Sequence, residues 1–311
     1  MKAARLHRYD PSIPADSLRV EEIDEPRIEG PFDVIVRVGA AGLCRTDIHV
    51  VEGQWAPIAD PDGTLLPYVL GHENAGWVEE VGSGVTNVSV GDTVIVHPLI
   101  TCGLCRACRA GNDMHCENGV FPGIAVDGGF AQLLKTSARS VVKLDPILEP
   151  KDIAALADAG LTAYHAVRKS VPYLYAGTKA VVIGAGGLGH IGIQCLKALT
   201  PAEIIVTDPN EKALELAKEW GADQTVKVED GYVDTVLEMT DGKGAEVVFD
   251  YVGERGAEDD AWKMTRSGGY DFVIGYGGTI NVPTIAVIST ERNIIGNLVG
   301  TYNDLAELMI L

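Results

Sequence analysis

The stretch AVVIGAGGLGHIGIQCLKALTPAEIIVTD, Ala180 to Asp208, constrains the chain more than any other part of its 311 residues. An apolar strand runs into Gly184-x-Gly186-x-x-Gly189, a helix follows, and a second apolar strand ends on an acid. Each glycine answers a separate demand. Gly184 permits the tight turn, Gly186 lets backbone approach a pyrophosphate, and Gly189 lets the helix pack closely on the strand. The helix N-terminus offers unpaired N–H groups and partial positive charge to that phosphate. Asp208 can accept hydrogen bonds from ribose hydroxyls and would repel a 2′-phosphate, which favours NAD over NADP. A glycine-rich turn with no ligand is the alternative, and the full strand–turn–helix–strand–acid context weighs against it.

The rest of the second half continues the alternation. NEKALELAKEWGA, QTVKV, YVDTVLEMT, AEVVFDYVG, EDDAWKMTRSG, YDFVIGYG and NIIGNLVG read as helices and strands in turn, giving roughly six buried strands of a doubly wound parallel sheet. The first half is instead β-rich, with DVIVRVGAAG, AGWVEEVG, DTVIVHP and GGFAQLLKTSARSVVKL punctuated by Gly, Pro and Asp. Helical periodicity first becomes clear from Ile153 to Val171, and a domain boundary falls near residues 150 to 160, where DPILEPKD changes the texture. The last residues, TYNDLAELMIL, read as an amphipathic helix with no cap following it.

The formal net charge of −19 speaks against a nucleic-acid partner, since phosphate binding relies on Lys and Arg. The amino terminus lacks the apolar core of a signal peptide. The longest apolar run is broken by glycines, His190, Gln194 and Lys197, so a membrane span is not expected. A reducing cytoplasm follows as the default location.

Four of the six cysteines lie in CGLCRACRAGNDMHC, at Cys102, Cys105, Cys108 and Cys116. Four thiolates from one compact loop can enclose a tetrahedral zinc with no open position, a structural site. An iron–sulfur cluster is the main rival, but the bacterial ferredoxin run has a shorter last gap and a Pro after its fourth cysteine, where Glu117 stands here. Disulfides are the other alternative, disfavoured by a reducing compartment. His115 reads as a bystander, Cys195 as buried core, and His165 and His190 receive no role.

Two pieces upstream, Gly42-Leu43-Cys44-Arg45-Thr46-Asp47-Ile48-His49 and LGHENAGWVEEVGSGV from Leu70 to Val85, are ordinary alone. Together with the cysteine loop and the glycine turn they resemble the zinc-dependent medium-chain alcohol dehydrogenases, within the medium-chain dehydrogenase/reductase superfamily. The resemblance covers essentially the whole chain. Gly71-His72-Glu73-x2-Gly76-x5-Gly82-x2-Val85 matches that family's zinc motif at every fixed position.

The resemblance implies an α/β chain of two domains. One is a GroES-like β-rich catalytic domain, residues 1–155, with 301–311 starting its C-terminal return. The other is a Rossmann NAD-binding domain, residues 156–300. It implies two zinc ions per chain. Cys44, His72 and Asp158 would hold a catalytic zinc with one position left for substrate or water, Asp158 standing where some members carry Cys. Glu73 resembles an intermittent ligand, and Asp47 a partner that orients His72. The four clustered cysteines match the structural-zinc lobe.

Further roles follow from the resemblance. Thr46 would accept the substrate hydroxyl's hydrogen bond, with a proton relay through the nicotinamide ribose to His49 at the surface. Cys44, Thr46 and His49 share one turn-like segment, so one can bind metal while the others face substrate and coenzyme. Arg45 would pair with the pyrophosphate, and Gly187, Leu188, Val252, Ile274, Gly275 and Tyr276 would face the coenzyme. The basic residue many members carry five positions after the ribose-binding acid is Ala213 here, with Lys212 beside it. Trp55, Leu99 and Ile100 are candidate walls of an apolar substrate pocket.

The implied reaction moves a hydride between a primary or secondary alcohol, or the matching aldehyde or ketone, and NAD, in a homodimer or homotetramer. Two alternatives remain: a polyol or amino-alcohol dehydrogenase of the same family, which needs polar pocket groups, and an inactive truncated nucleotide-binding protein. Family members continue for a few dozen residues past the position of Leu311, so the chain is expected to be a fragment lacking part of the catalytic domain's core.

Overall fold

The Val-rich and alternating runs of the first half become short strands. They are β1 (Lys2–Leu6), β2 (Leu18–Glu22), β3 (Asp33–Gly42), β4 (Tyr68–Val69), β5 (Glu73–Val81), β6 (Thr93–Val96), β7 (Leu133–Ser137) and β8 (Val141–Lys143). The computed structural model describes residues 1–14 and 16–311. It divides into two units, Met1–Leu161 with Thr301–Leu311, and Thr162–Gly300.

In the first unit an antiparallel sheet runs β7-β3-β5-β6-β8, and a smaller one runs β2-β1-β4. Val34, Val36, Val78, Val94, Val96, Leu134 and Val141 pack into one buried cluster. Each such side chain stabilises the fold by roughly 1.5–3 kcal/mol relative to exposure. The register of β3 on β5 matters for function. Gly42 lies opposite Glu73, so Cys44, just past the end of β3, is brought beside His72, just before the start of β5.

In the second unit the strands are β9 (Lys179–Ile183), β10 (Glu203–Asp208), β11 (Gln224–Lys227), β12 (Ala245–Asp250), β13 (Thr265–Val273) and β14 (Asn293–Gly296). All pair in parallel, in the order β11-β10-β9-β12-β13-β14. This is the doubly wound order 3-2-1-4-5-6, in which the chain reverses direction across the sheet after the third strand and ligands bind outside the strand carboxyl ends. The glycine turn leaves the carboxyl end of β9, at that reversal.

Three expectations need correcting. The six strands are not all buried: β14 is the sheet edge, and its Ile294 is 41% exposed. The helical pattern from Ile153 to Val171 is not one helix. A helix Pro150–Ile153 and a 3-10 turn Ala154–Ala157 precede the helix Ala159–Ser170, and Asp158 sits at the break with φ −130 and ψ −60. Apolar periodicity runs straight across this break because both sides pack on the same core. The turn-like segment after Cys44 is a helix, Arg45–Val51, with consequences for His49 given below.

The C-terminal residues form the helix Tyr302–Ile310, capped by Thr301 and Asp304. Leu305 and Leu308 are buried, and the Tyr302 N–H donates to Asp113 Oδ1 at 3.2 Å. Among the described residues no helix is long and apolar enough to cross a membrane.

Candidate metal centres and coenzyme turn

Cys44 is the N-cap of the helix Arg45–Val51. Its thiol accepts the Thr46 N–H at 3.4 Å, and Asp47 Oδ2 accepts the Cys44 N–H at 2.9 Å, closing a capping box. The cap aims the Cys44 sulfur toward Asp158, whose Oδ2 is 3.7 Å away. His72 Nε2 lies 3.3 Å from the same oxygen, while its Nδ1 lies 3.2 Å from Asp47 Oδ1. One donor atom each from Cys44, His72 and Asp158 falls within 4.8 Å of the others.

The electrostatics suit a cation. Burial alone would depress the pKa of His72, but Asp158 and Asp47 outweigh it and hold the imidazole well above its ordinary value. A metal ion would replace that proton, with Asp47 fixing the Nδ1 tautomer and leaving the Nε2 lone pair to ligate. Three protein donors of thiolate, imidazole and carboxylate type match a catalytic zinc with an open fourth position. Phe121 closes one side, its ring edge-on to His72 at 5.7 Å between centroids. Nothing in the sequence around Phe121 signals that contact.

Glu73 is not among the converging donors. It is buried, its Oε1 accepts the Ala159 N–H at 3.0 Å, and burial with the nearby Asp158 charge raises its pKa to about 7.

Cys102, Cys105, Cys108 and Cys116 form the second set, again within 4.8 Å. Backbone N–H groups of Leu104 and Cys105 donate to the Cys102 sulfur, both at 3.4 Å, and the Cys102 N–H donates to Cys116 at 3.3 Å. The first two bonds lower the Cys102 thiol to about 6, so a thiolate is prepared there. Four sulfurs with no gap for a substrate fit a closed structural zinc. Cys195 is buried in its helix, as expected, with its thiol pushed up to about 12 by burial.

At the coenzyme turn, Gly184 has φ +86, which favours glycine. A Cβ at Gly189 would stand 1.8 Å from the Gly184 carbonyl oxygen, whereas a Cβ at Gly186 or Gly187 would meet nothing within 4 Å. The first pair builds the turn; the second leaves an open cradle above it. Asp208 accepts the Ala185 N–H at 2.8 Å through Oδ2 and the Asn210 N–H at 2.8 Å through Oδ1, which holds it at the turn. Leu188 is the N-cap of the helix Gly189–Leu199. Val252 and Ile274 follow the ends of β12 and β13, and Gly253 and Gly275 touch backbone to backbone. Tyr276 is 41% exposed beside them.

A prediction follows for this turn. Gly189→Ala forces backbone apart and should destabilise the chain by about 3 kcal/mol, the upper end of ordinary overpacking. Gly186→Ala should leave the melting temperature unchanged yet weaken NADH binding, because its methyl fills only the cradle. Thermal unfolding and NADH fluorescence titration of the two variants check this, and equal melting losses would contradict it.

Arg45 is exposed and Thr46 half-buried on the first turn after Cys44. His49 is not at the surface: it is 4% exposed, because the helix turns Asp47, His49, Val50 and Val51 inward. Trp55 packs against the cluster of Leu6, Val50, Val51, Tyr68 and Leu70. Leu99 is buried, while Ile100 pairs with Val120 and lines a surface groove of ≈ 430 Å³ together with Met1, Pro26 and Val126. His190 Nδ1 contacts the Gly186 carbonyl at 2.9 Å, and its ring tilts against Trp220.

A β-rich unit with an open three-donor metal set and a closed four-thiol set, on a chain whose other unit is a doubly wound coenzyme sheet, defines a zinc-binding dehydrogenase. Comparison with known proteins agrees: residues 30–146 match the alcohol dehydrogenase GroES-like domain and residues 187–311 the zinc-binding dehydrogenase domain. The chain belongs to the zinc-dependent alcohol dehydrogenase family. The crystal structure of the alcohol dehydrogenase from the archaeon Aeropyrum pernix superposes with a TM-score of 0.94 at 48% identity, over 100% of this chain and 89% of that one. An NAD-dependent alcohol dehydrogenase of Sulfurisphaera tokodaii is 36% identical over 300 residues, 94% of this chain and 85% of that protein. A D-arabinose 1-dehydrogenase (NADP(+)) of Saccharolobus solfataricus is 34% identical over 315 residues, 100% of this chain and 86% of that protein.

Proposed function

We propose that the protein oxidises simple primary or secondary alcohols to aldehydes or ketones, or runs the reverse reaction, with NAD as coenzyme (EC 1.1.1.1). The observation that carries this reading is the convergence of Cys44, His72 and Asp158 into a three-donor set, separate from the closed cysteine set. The first unit has the catalytic role and the second the coenzyme role.

Zinc held by the three donors supplies Lewis acidity worth up to about 12 kcal/mol toward deprotonating a substrate hydroxyl at neutral pH, and NAD supplies the hydride acceptor. The chain's own residues do the rest. Asp47 holds the His72 ring. Thr46 and His49 stand three apart on one short helix and so share a face, where the Thr46 hydroxyl can take a proton and His49 can pass it on. Because His49 is buried, the proton's exit continues beyond it. Asp208 at the glycine turn disfavours a 2′-phosphate, which supports NAD although one relative is named for NADP. Trp55, Leu99 and Ile100 remain candidate walls of the substrate pocket.

Five of the six cysteines fall in the two metal sets rather than in disulfide pairs, which suits a reducing cytoplasm. A homodimer or homotetramer is supported by the edge strand β14, with Ile285, Ile288 and Leu298 exposed in the same unit.

The test is NADH formation by the purified chain with NAD and a panel of short, branched and benzylic alcohols, alongside D-arabinose and an amino alcohol. Chelator-sensitive turnover of the simple alcohols supports the proposal. Turnover confined to the sugar or amino alcohol replaces the substrate class with the polyol or amino-alcohol one.

A further inference from the structure

Glu73 is a buried acid beside the three-donor set, with one of its oxygens bonded to backbone. It is 2% exposed, and its Oε1 takes the Ala159 N–H at 3.0 Å. Its Oε2 lies against Gly42, where a Cβ would come within 2.0 Å. The register of β3 on β5 sets Gly42 directly opposite Glu73, so the absence of a side chain at 42 makes room for the carboxylate.

The amide it takes is a telling one. Asp158 stands between the 3-10 turn Ala154–Ala157 and the helix Ala159–Ser170, with φ −130 and ψ −60. The first N–H groups of a helix have no partner within it, so the 158–159 peptide needs an outside acceptor to fix its orientation. A carboxylate at the N-terminus of a twelve-residue helix is also favoured by the helix dipole.

We propose that Glu73 is a positioning residue: by holding the 158–159 peptide from the space left by Gly42, it turns the Asp158 carboxylate toward Cys44 and His72. This rests on the reading of those three residues as a metal site. The pairing of Gly42 with Glu73 is therefore part of the metal site, although Gly42 touches no metal.

The test uses the full chain loaded with Co²⁺, comparing the unaltered protein with Glu73→Gln, Glu73→Ala and Gly42→Ala. Affinity is read by competition with a chelator, and ligand geometry by the cobalt d–d bands. The thiolate-to-cobalt bands of the four-cysteine site report that each variant is folded. Glu73→Gln keeps an oxygen for the Ala159 N–H, so affinity and spectrum should stay close to those of the unaltered protein. Glu73→Ala and Gly42→Ala should each weaken the three-donor site about 10- to 100-fold, the usual cost of losing a group that orients a ligand, and shift its bands. Unchanged affinity and bands in Glu73→Ala would overturn the proposal, as would an equal loss in Glu73→Gln, which would make charge the cause. If the unaltered chain takes up Co²⁺ only at the four cysteines, the metal-site reading itself falls, and this inference with it.

Discussion

His72→Ala is expected to lower kcat/KM by about 1000-fold or more and to reduce bound zinc from two ions per chain to one. If only a third of the roughly 12 kcal/mol of Lewis acidity is realised in the transition state, its loss is about 4 kcal/mol, or about a thousandfold in rate. The variant also strands two acids. Asp47 and Asp158 each face a His72 nitrogen, at 3.2 and 3.3 Å, with the imidazole 1% exposed. Removing one partner of a buried ionic contact costs about 3–5 kcal/mol, so a lower melting temperature should accompany the lost activity. The four-cysteine zinc should stay, because no donor is shared between the two sets. Elemental analysis and steady-state kinetics check both parts. A variant that keeps both zinc ions and turnover within tenfold would remove His72 from the reaction.

The sequence carried the coenzyme sheet well because its signals are local. Glycines at fixed spacing, an acid at a strand end and short apolar runs each report their own geometry, and β9 to β12 and β14 lie where those runs are; β13 begins earlier, at Thr265, inside the stretch EDDAWKMTRSG that reads as helix. It carried the first unit less evenly. β3 spans the same ten residues as the run DVIVRVGAAG. In contrast, β2 is exposed over nearly all its length, so its brief alternation of Leu18, Arg19, Val20 and Glu21 marks no buried face. The short helix after Cys44 escapes detection because its cap is a cysteine, a residue whose capping depends on where the metal loop places it. That is also why His49 turns out buried. The break at Asp158 is invisible for a different reason: apolar spacing records which side faces the core, and a change from 3-10 to α geometry preserves that side. The partnership of Glu73 with Ala159 and Gly42 depends on strand register and on a contact across 86 positions of chain, which no local pattern encodes.

Asp271→Asn should stabilise the protein at pH 8 relative to its effect at pH 5, by about 2–4 kcal/mol. Asp271 lies near the carboxyl end of β13, 1% exposed, and neither carboxylate oxygen has a hydrogen-bond partner among the described residues. Burial, and then the charge of Asp250 on the neighbouring strand, push its pKa up from 3.8 to about 7. Asp250 is itself raised by burial, although its Oδ1 accepts the Val252 and Gly253 N–H groups, both at 2.9 Å. The sign follows from linkage. Between pH 3.8 and about 7 the folded chain keeps a proton on Asp271 that the unfolded chain has released. Stability therefore falls as pH rises through that window and levels off above it, at about 1.36 kcal/mol per unit of separation. Asparagine cannot ionise, so the variant escapes that loss. It still buries an amide with unsatisfied hydrogens, a cost of about 1–3 kcal/mol that does not vary with pH. The informative quantity is thus the difference between the two pH values rather than either change alone. For the same reason the variant can look destabilised at pH 5 and still support the argument. Denaturant titrations of both proteins at pH 5 and pH 8 measure that difference, and a change that is the same at the two pH values would show that Asp271 is charged in the folded protein throughout.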